Sequence, residues 1–245
     1  MNDNYIAVID SGVGGLSVLS ELVKSAPNNN YIYFGDNSNA PYGNKSERKL
    51  KEITIKNLDL LLSYNLKAIV LACNTLSVTL LSFVEGYSGL PTFGVFPPVE
   101  KYLMKGERVL LLSTMLTSKK FMPSERLHVL GLKRLALDLE YNKFNARAID
   151  LQSNLLDSVG YFVNKKGYYD RVVLGCTHYE FIKNKIYDHF CPRKISSGIE
   201  FTTKNVKNFL SSDKSLVKHK ENQVLFVGDT AQENKNFWVC SGREW

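Results

Sequence analysis

Short hydrophobic runs alternate along this chain with longer segments whose apolar residues recur at helical spacing. The first run, Tyr5–Asp10, leads into a helical pattern over Gly14–Ser25, which is the opening of a parallel α/β fold. Several runs are almost entirely Val, Ile and Leu, as expected for strands covered on both faces. The predicted strands are Tyr5–Asp10, Tyr31–Phe34, Lys67–Ala72, Thr92–Phe96, Arg108–Leu112, Leu135–Leu139, Arg171–Leu174 and Val224–Val227.

Helices are predicted between these strands. The clearest covers Ser46–Tyr64, where Leu50, Ile53 and Leu58 keep the spacing of one helix face. A second long helix is predicted over Asp150–Val163. Alternation of strands and helices predicts mostly parallel sheets flanked by helices.

An internal repeat relates the two halves of the chain. Cys73 and Cys176 each follow a predicted strand directly, and they lie 103 positions apart. The same shift relates Asp10 to Ser113, Tyr31–Phe34 to Arg134–Leu137, and Ser46–Tyr64 to Ile149–Gly167. The repeat predicts two similar α/β lobes, residues 1–96 and 97–206, with residues 207–245 returning to the first lobe. Ligands of such sheets bind beyond the carboxyl ends of the strands, so lobes packed about a pseudo-twofold axis would share one cleft between them.

Composition excludes several classes of function. The 245 residues are 44% hydrophobic and 22% charged, which is typical of a globular protein. The net charge of +7 comes from scattered lysines rather than a basic run, so no nucleic-acid-binding tail is expected. No apolar stretch approaches the ~18 residues of a membrane span, and the first residues lack the features of a signal peptide. A cytoplasmic protein with no membrane partner is therefore expected.

The four cysteines show no C-x-x-C pair and no metal-ligand spacing with the histidines, so no metal site is predicted. A single cysteine at a strand end is usually a small buried filler. Two at matched positions, Cys73 before Asn74-Thr75 and Cys176 before Thr177-His178, favour a functional pair of thiols. His178 can lower the thiol pKa of Cys176, although a lone histidine is more often structural.

Asp10 ends the first strand, where it can act on Cys73 or on a substrate ammonium, or cap the following helix. The glycines after Asp10 would bind an anion at a helix N-terminus. With Asp36 at the end of the second strand they also leave a dinucleotide-binding oxidoreductase as an alternative. The polar loop Asp36–Ser46 could carry specificity or be a simple turn.

Four sequence blocks, taken in order, resemble the signature motifs of the glutamate racemase family, within the aspartate/glutamate racemase superfamily. The blocks are Asp10-Ser11-Gly12-Val13-Gly14-Gly15, Pro41-Tyr42-Gly43 with Lys45-Ser46, Ala72-Cys73-Asn74-Thr75 and Leu174-Gly175-Cys176-Thr177-His178-Tyr179. The resemblance implies a cofactor-independent racemase of two α/β lobes with its active site between them. It implies that Cys73 and Cys176 face opposite sides of the substrate α-carbon. A homodimer that supplies D-glutamate for peptidoglycan is also implied.

The same resemblance implies a role for each site residue. Asp10 would assist Cys73, and His178 would assist Cys176. Tyr42 and Gly43, next to Pro41, would receive the side-chain carboxylate of glutamate. The residues that would hold the α-carboxylate and ammonium are Ser11, Asn74, Thr75, Thr114, Thr117 and Thr177.

Three positions depart from the family pattern. Phe96-Pro97-Pro98 replaces a stretch that usually carries a glutamate, and Ile195 replaces an acid before Ser196-Ser197. The acid that would support His178 is either Glu140 or Asp150, both at altered spacing. These departures leave open a racemase of aspartate or another amino acid, and an amino-acid-binding protein without turnover.

Overall fold

The structure is a computed structural model that describes residues 4–142, 145–212 and 223–240. The strands are β1 (Tyr5–Asp10), β2 (Asn30–Gly35), β3 (Leu66–Leu71), β4 (Thr92–Gly94), β5 (Val109–Thr114), β6 (Leu127–Leu132), β7 (Val159–Gly160), β8 (Arg171–Gly175), β9 (Lys194–Ser197) and β10 (Val224–Phe226). The α-helices are α1 (Leu16–Ser25), α2 (Glu47–Leu61), α3 (Asn74–Ser88), α4 (Val99–Leu103), α5 (Met115–Ser118), α6 (Leu135–Tyr141), α7 (Leu151–Leu156), α8 (Lys183–Phe190), α9 (Ile199–Ser212) and α10 (Ala231–Cys240).

Two five-stranded sheets organise these elements. The first has the order β10-β2-β1-β3-β4, and its strand pairs are all parallel. The second has the order β7-β6-β5-β8-β9 and is parallel except for the short pair between β6 and β7. Both faces of the central strands are buried against helices, which explains their continuous apolar sequences. The predicted fold class, two similar mostly parallel sheets flanked by helices, is confirmed.

The predicted strand over Leu135–Leu139 is wrong, because this segment is the helix α6. Leu135, Leu137 and Leu139 alternate with other residues as a strand would, but Leu137 is 45% exposed, and the buried positions follow helical spacing. The strand beside β5 on the side away from β8 is β6, earlier in the chain. The shift of 103 positions therefore fails to relate Tyr31–Phe34 to a strand.

The predicted helix over Asp150–Val163 is also wrong in its extent. Asp150 caps the shorter helix α7 by accepting a hydrogen bond from the backbone N–H of Ser153 at 3.0 Å. The chain then turns into β7, where Gly160 has a φ of 124°. A Cβ at Gly160 would collide with the carbonyl oxygen of Val129, so the close pairing with β6 needs glycine there. Ser46 caps α2 at the position predicted for the start of that helix.

The C-terminal part of the described chain packs on the first sheet. Helix α9 lies against α1, and its Val206 and Leu210 share a core with Leu22. The predicted lobe boundary between residues 206 and 207 falls inside this helix. Strand β10 pairs with β2, and Trp238 of α10 is buried in the same core. No helix within the described ranges is both long and apolar enough to cross a membrane.

Candidate active site

The carboxyl ends of the central strands in both sheets meet at one buried pocket. Cys73 follows β3 of the first sheet, and Cys176 follows β8 of the second. Parallel strands place these ends at the same edge of each sheet, which is why residues far apart in sequence converge. The residues that line the pocket are Ser11, Pro41, Tyr42, Gly43, Cys73, Asn74, Thr75, Thr114, Ala136, Cys176, Thr177 and His178.

Two residues expected in the site lie directly behind this lining. Asp10 accepts a hydrogen bond from the hydroxyl of Thr177 at 3.2 Å, and Thr117 lies 3.1 Å from the hydroxyl of Thr75. Both side chains are completely buried. The structure therefore brings every residue predicted for the site into the pocket or into contact with its wall.

Cys73 is buried at the N-terminus of α3, with its Sγ 4.0 Å from Oγ of Ser11. The Ser11 hydroxyl in turn lies 3.5 Å from Oδ1 of Asp10. Burial raises the pKa of the Cys73 thiol far above its usual range, and the Asp10 carboxylate and the Cys176 sulfur raise it further. Burial therefore favours the thiol form of Cys73, and a negative charge on Asp10 opposes the loss of its proton further.

Cys176 forms a line with two side chains of the second lobe. Its Sγ lies 3.6 Å from Nδ1 of His178, and Nε2 of His178 lies 2.7 Å from Oε1 of Glu140. Burial acts to lower the pKa of His178, but Cys176 and Glu140 outweigh it and raise the pKa well above its usual range. The raised pKa favours the charged imidazolium form of His178 beside the sulfur of Cys176.

Asp10 joins the two lobes. One oxygen accepts the backbone N–H of Gly12 at 2.9 Å, and the other accepts the hydroxyl of Thr177 from the second lobe. Burial raises the pKa of Asp10 to about 6, while His178 and these two donors limit the rise. A carboxyl group with this pKa can gain and lose a proton near neutral pH.

Helix α6 supplies the acid that supports His178. The two candidates from sequence were Glu140 and Asp150, and the structure places Glu140 on the histidine while Asp150 caps α7. Ala136, which no sequence motif indicated, lines the pocket one helical turn before Glu140. Because residues four apart share a helix face, helical spacing over this segment is the signal that identifies both.

The glycines after β1 allow side chains of the second lobe to approach. A Cβ at Gly14 would lie 2.6 Å from Nδ1 of His178 and 2.7 Å from Oγ1 of Thr177. A Cβ at Gly12 would collide with Glu140. Since side chains already cover this loop, it does not offer the open backbone that a pyrophosphate needs, which argues against the dinucleotide hypothesis.

Three threonine hydroxyls connect the lobes in the wall of the pocket. Oγ1 of Thr75 lies 2.9 Å from Oγ1 of Thr114 and 3.1 Å from Oγ1 of Thr117. Gly43 packs tightly against Thr114, since a Cβ at Gly43 would overlap the threonine side chain. Hydroxyls that can donate or accept suit both a carboxylate and an ammonium group.

The hydroxyl of Tyr42 is directed to a buried network outside the pocket. It donates to Oδ2 of Asp36 at 2.7 Å and accepts from Nδ2 of Asn57 at 2.9 Å. Asn39 also donates to Asp36, at 2.9 Å. Tyr42 lines the pocket, while its hydroxyl is engaged by Asp36 and Asn57. The amide of Asn74 similarly donates to the carbonyl of Val95 at 2.8 Å.

A larger cavity of about 600 Å³ contains none of the predicted catalytic or binding residues. Its wall includes Glu21 of α1, Glu180 after His178, and Ile195 of β9. The replacement of an acid by Ile195 thus affects this second cavity and leaves the lining of the thiol pocket unchanged. Within the described ranges, no cluster of three or more His, Cys, Asp or Glu side chains could hold a metal ion.

The fold and the pocket define a two-lobed α/β protein with one thiol from each lobe at a shared buried site. No family model matches the chain. It is 37% identical over 194 residues to a glutamate racemase of Clostridium botulinum strain Alaska E43, covering 74% of each chain. It is 32% identical over 241 residues to a glutamate racemase of Clostridium botulinum strain Okra, covering 91% of this chain and 90% of the relative. The chain belongs to the glutamate racemase family.

Solved structures share the fold over nearly the whole chain. A glutamate racemase of Bacillus anthracis matches 99% of this chain and 95% of its own, with a TM-score of 0.77 at 23% identity. The Escherichia coli glutamate racemase, solved with L-glutamate and the activator UDP-MurNAc-Ala, matches 98% of this chain and 94% of its own, with a TM-score of 0.75 at 24% identity.

Proposed function

We propose that this protein interconverts L-glutamate and D-glutamate without a cofactor, with Cys73 and Cys176 as the two acid/base groups. The observation that carries the proposal is the placement of one thiol from each lobe in the lining of a single pocket. Inversion at a carbon atom without a cofactor needs a base on one face and an acid on the other. Family membership and the glutamate-bound relatives support glutamate as the substrate.

In one direction a cysteine thiolate removes the α-proton of glutamate, and the C–H electron pair stays on the α-carbon as a planar carbanion. The opposite thiol then donates its proton to the other face, which leaves that cysteine as the thiolate. His178 assists Cys176 as the charged partner of its thiolate. Asp10 assists Cys73 through Ser11, since protonation of Asp10 removes the negative charge that opposes the Cys73 thiolate.

The remaining polar groups hold the substrate. We assign the α-carboxylate and the ammonium to the hydroxyls and amide that line the pocket or support its wall, namely Ser11, Asn74, Thr75, Thr114, Thr117 and Thr177. Pro41, Tyr42 and Gly43 form the wall assigned to the side-chain carboxylate. The Tyr42 hydroxyl is bonded to Asp36 and Asn57, so we assign this role to the backbone of Tyr42 and Gly43.

Solvent exchange tests this function. In deuterated water, wild-type protein supplied with L-glutamate should produce D-glutamate, with deuterium at the α-carbon of the product. Circular dichroism should decay to zero from either pure enantiomer. The same assay with aspartate and other amino acids tests substrate choice, and faster exchange of another amino acid would replace glutamate as the substrate. Binding of glutamate without exchange would instead establish the protein as a non-catalytic binder.

The proposal extends to the cellular role. We infer that the protein acts as a homodimer in the cytoplasm and supplies D-glutamate for peptidoglycan. Light scattering of the purified protein tests the dimer. The measured mass should be that of two chains, and a mass of one chain would contradict the dimer. Growth of a bacterial D-glutamate auxotroph carrying this gene tests the supply of D-glutamate, and dependence on added D-glutamate would contradict it.

A further inference from the structure

A cavity of about 340 Å³ adjoins the thiol pocket at the boundary between the lobes. We name it the lysine cavity, because Lys45, Lys119 and Lys133 line it together with Gly43 and Leu116. Lys45 comes from the loop before α2 in the first lobe, whereas Lys119 and Lys133 follow α5 and β6 in the second. None of the described residues that line it is acidic.

The positive charge of the lysine cavity is only partly compensated. Lys133 pairs with Asp157 at 3.2 Å, and this pair is exposed to solvent. The neighbouring Lys120 pairs with Glu47 at 2.8 Å. Among the residues that the structure describes, no carboxylate pairs with Lys45 or Lys119. The cavity therefore combines concave shape with an excess of positive charge.

The lysine cavity and the thiol pocket share Gly43 in their walls. Gly43 packs on Thr114, which lines the thiol pocket, so this contact lies where the two spaces adjoin. Cys73 and Cys176 are only 6% and 7% exposed, so a substrate reaches them only when part of the wall moves. The wall at Gly43 joins the two lobes, where a small separation would connect the cavity with the pocket.

We propose that the lysine cavity is a capture subsite, which binds the carboxylates of a dicarboxylic amino acid before it enters the thiol pocket. This inference rests on the proposed function, because it assigns the same substrate class to a second place on its path. A concave surface of one charge raises the local concentration of an oppositely charged ligand and its rate of association. The attraction is screened beyond about 8 Å at physiological ionic strength.

A charge-matched pair of variants tests the subsite. K45Q/K119Q removes two charges at the cavity, while K204Q/K207Q removes two charges from exposed positions on α9. Near 0.02 M ionic strength, K45Q/K119Q should lower kcat/KM for L-glutamate about fivefold and leave kcat unchanged. At about 0.5 M ionic strength the difference should disappear, because salt screens the field. The K204Q/K207Q variant should match the wild type at both salt concentrations.

Calorimetric binding of L-glutamate to the same three proteins gives a readout that needs no turnover. The apparent Kd should rise in K45Q/K119Q at low salt and remain unchanged in K204Q/K207Q. Equal effects of both variants would overturn the subsite and assign the attraction to the net charge of the protein. No effect of K45Q/K119Q would overturn it as well. Absence of exchange by the wild type would instead refute the proposed function, and the binding data would still decide on the subsite.

Discussion

Nε2 of His178 lies 2.7 Å from Oε1 of Glu140, while Nδ1 of the same ring faces the sulfur of Cys176 at 3.6 Å. The imidazole thus lies between a carboxylate and a thiol, and both raise its pKa against the effect of burial. The charged groups that act on the Cys73 thiol are instead the Asp10 carboxylate and the Cys176 sulfur, and both raise its pKa. The two sulfur atoms therefore lie in different electrostatic environments.

The first prediction concerns Glu140→Gln. The amide keeps a hydrogen-bond acceptor near His178 but removes the charge that raises its pKa, so the pKa of His178 should fall. The alkaline limb of the pH profile of kcat/KM should move to lower pH, and kcat should fall by up to about a hundredfold. Asp150→Asn is the control, since Asp150 caps α7 instead. An unchanged alkaline limb, or an equal shift in the control, would refute this role of Glu140.

The second prediction separates the roles of the two cysteines. Cys73→Ser and Cys176→Ser should each lower racemisation by at least about a hundredfold, because serine is a far weaker acid than cysteine at these positions. Each variant keeps one thiol, so α-proton exchange with deuterated water should persist with one enantiomer only, and the enantiomer should differ between the variants. Cys191→Ser, at an exposed position, should behave as wild type. Exchange of the same enantiomer in both variants would contradict opposed faces.

The third prediction links Asp10 to stability. Its pKa is about 6 in the folded protein against 3.8 as the ordinary value. Because the pKa of Asp10 is higher in the folded than in the unfolded protein, its protonated form stabilises the fold fully below pH 3.8. This stabilisation is lost as the pH rises through about 6, so the folded protein is about 3 kcal/mol less stable at pH 7 than at low pH on account of this group. Asp10→Asn should avoid that cost, because the amide carries no charge to bury.

Urea unfolding at about pH 4 and about pH 7 measures this difference. The free energy of unfolding of Asp10→Asn relative to the wild type should increase between the two pH values. Asp188→Asn, at an exposed position on α8, should show no such change. A constant difference for Asp10→Asn would show that burial does not penalise the charge of Asp10.

The sequence alone predicts the parts of the site that depend on strand ends. Cys73 and Cys176 follow continuous apolar strands, and parallel pairing places the carboxyl ends of neighbouring strands at the same edge of the sheet, independently of the loop conformations. Glu140 could not be chosen over Asp150, because the alternating leucines of α6 satisfy strand and helix patterns alike. The hydrogen bond between Asn57 and Tyr42 could not be predicted from the sequence either, because it depends on how a polar loop folds onto α2.

Asn57 holds the loop that carries Tyr42 and Gly43 through two hydrogen bonds. Its amide donates to the hydroxyl of Tyr42 at 2.9 Å and to Oδ2 of Asp36 at 3.2 Å, which holds the loop next to Gly43. Asn57→Leu removes the hydrogen bond to the Tyr42 hydroxyl and the one to the buried carboxylate of Asp36, and should lower the free energy of unfolding by about 1–3 kcal/mol. The KM for glutamate should rise more than kcat falls, because the loop forms the wall assigned to the side-chain carboxylate.

A double-mutant cycle with Tyr42→Phe tests whether Asn57 acts through the tyrosine. The Tyr42→Phe variant removes the hydroxyl shared by Asn57 and Asp36, so the two losses of unfolding free energy should differ from additivity by more than about 0.5 kcal/mol. The control Lys56→Gln alters an exposed neighbour on α2 and should change neither KM nor stability. Additive losses, or a fall in stability at unchanged KM, would limit Asn57 to a structural role remote from the substrate.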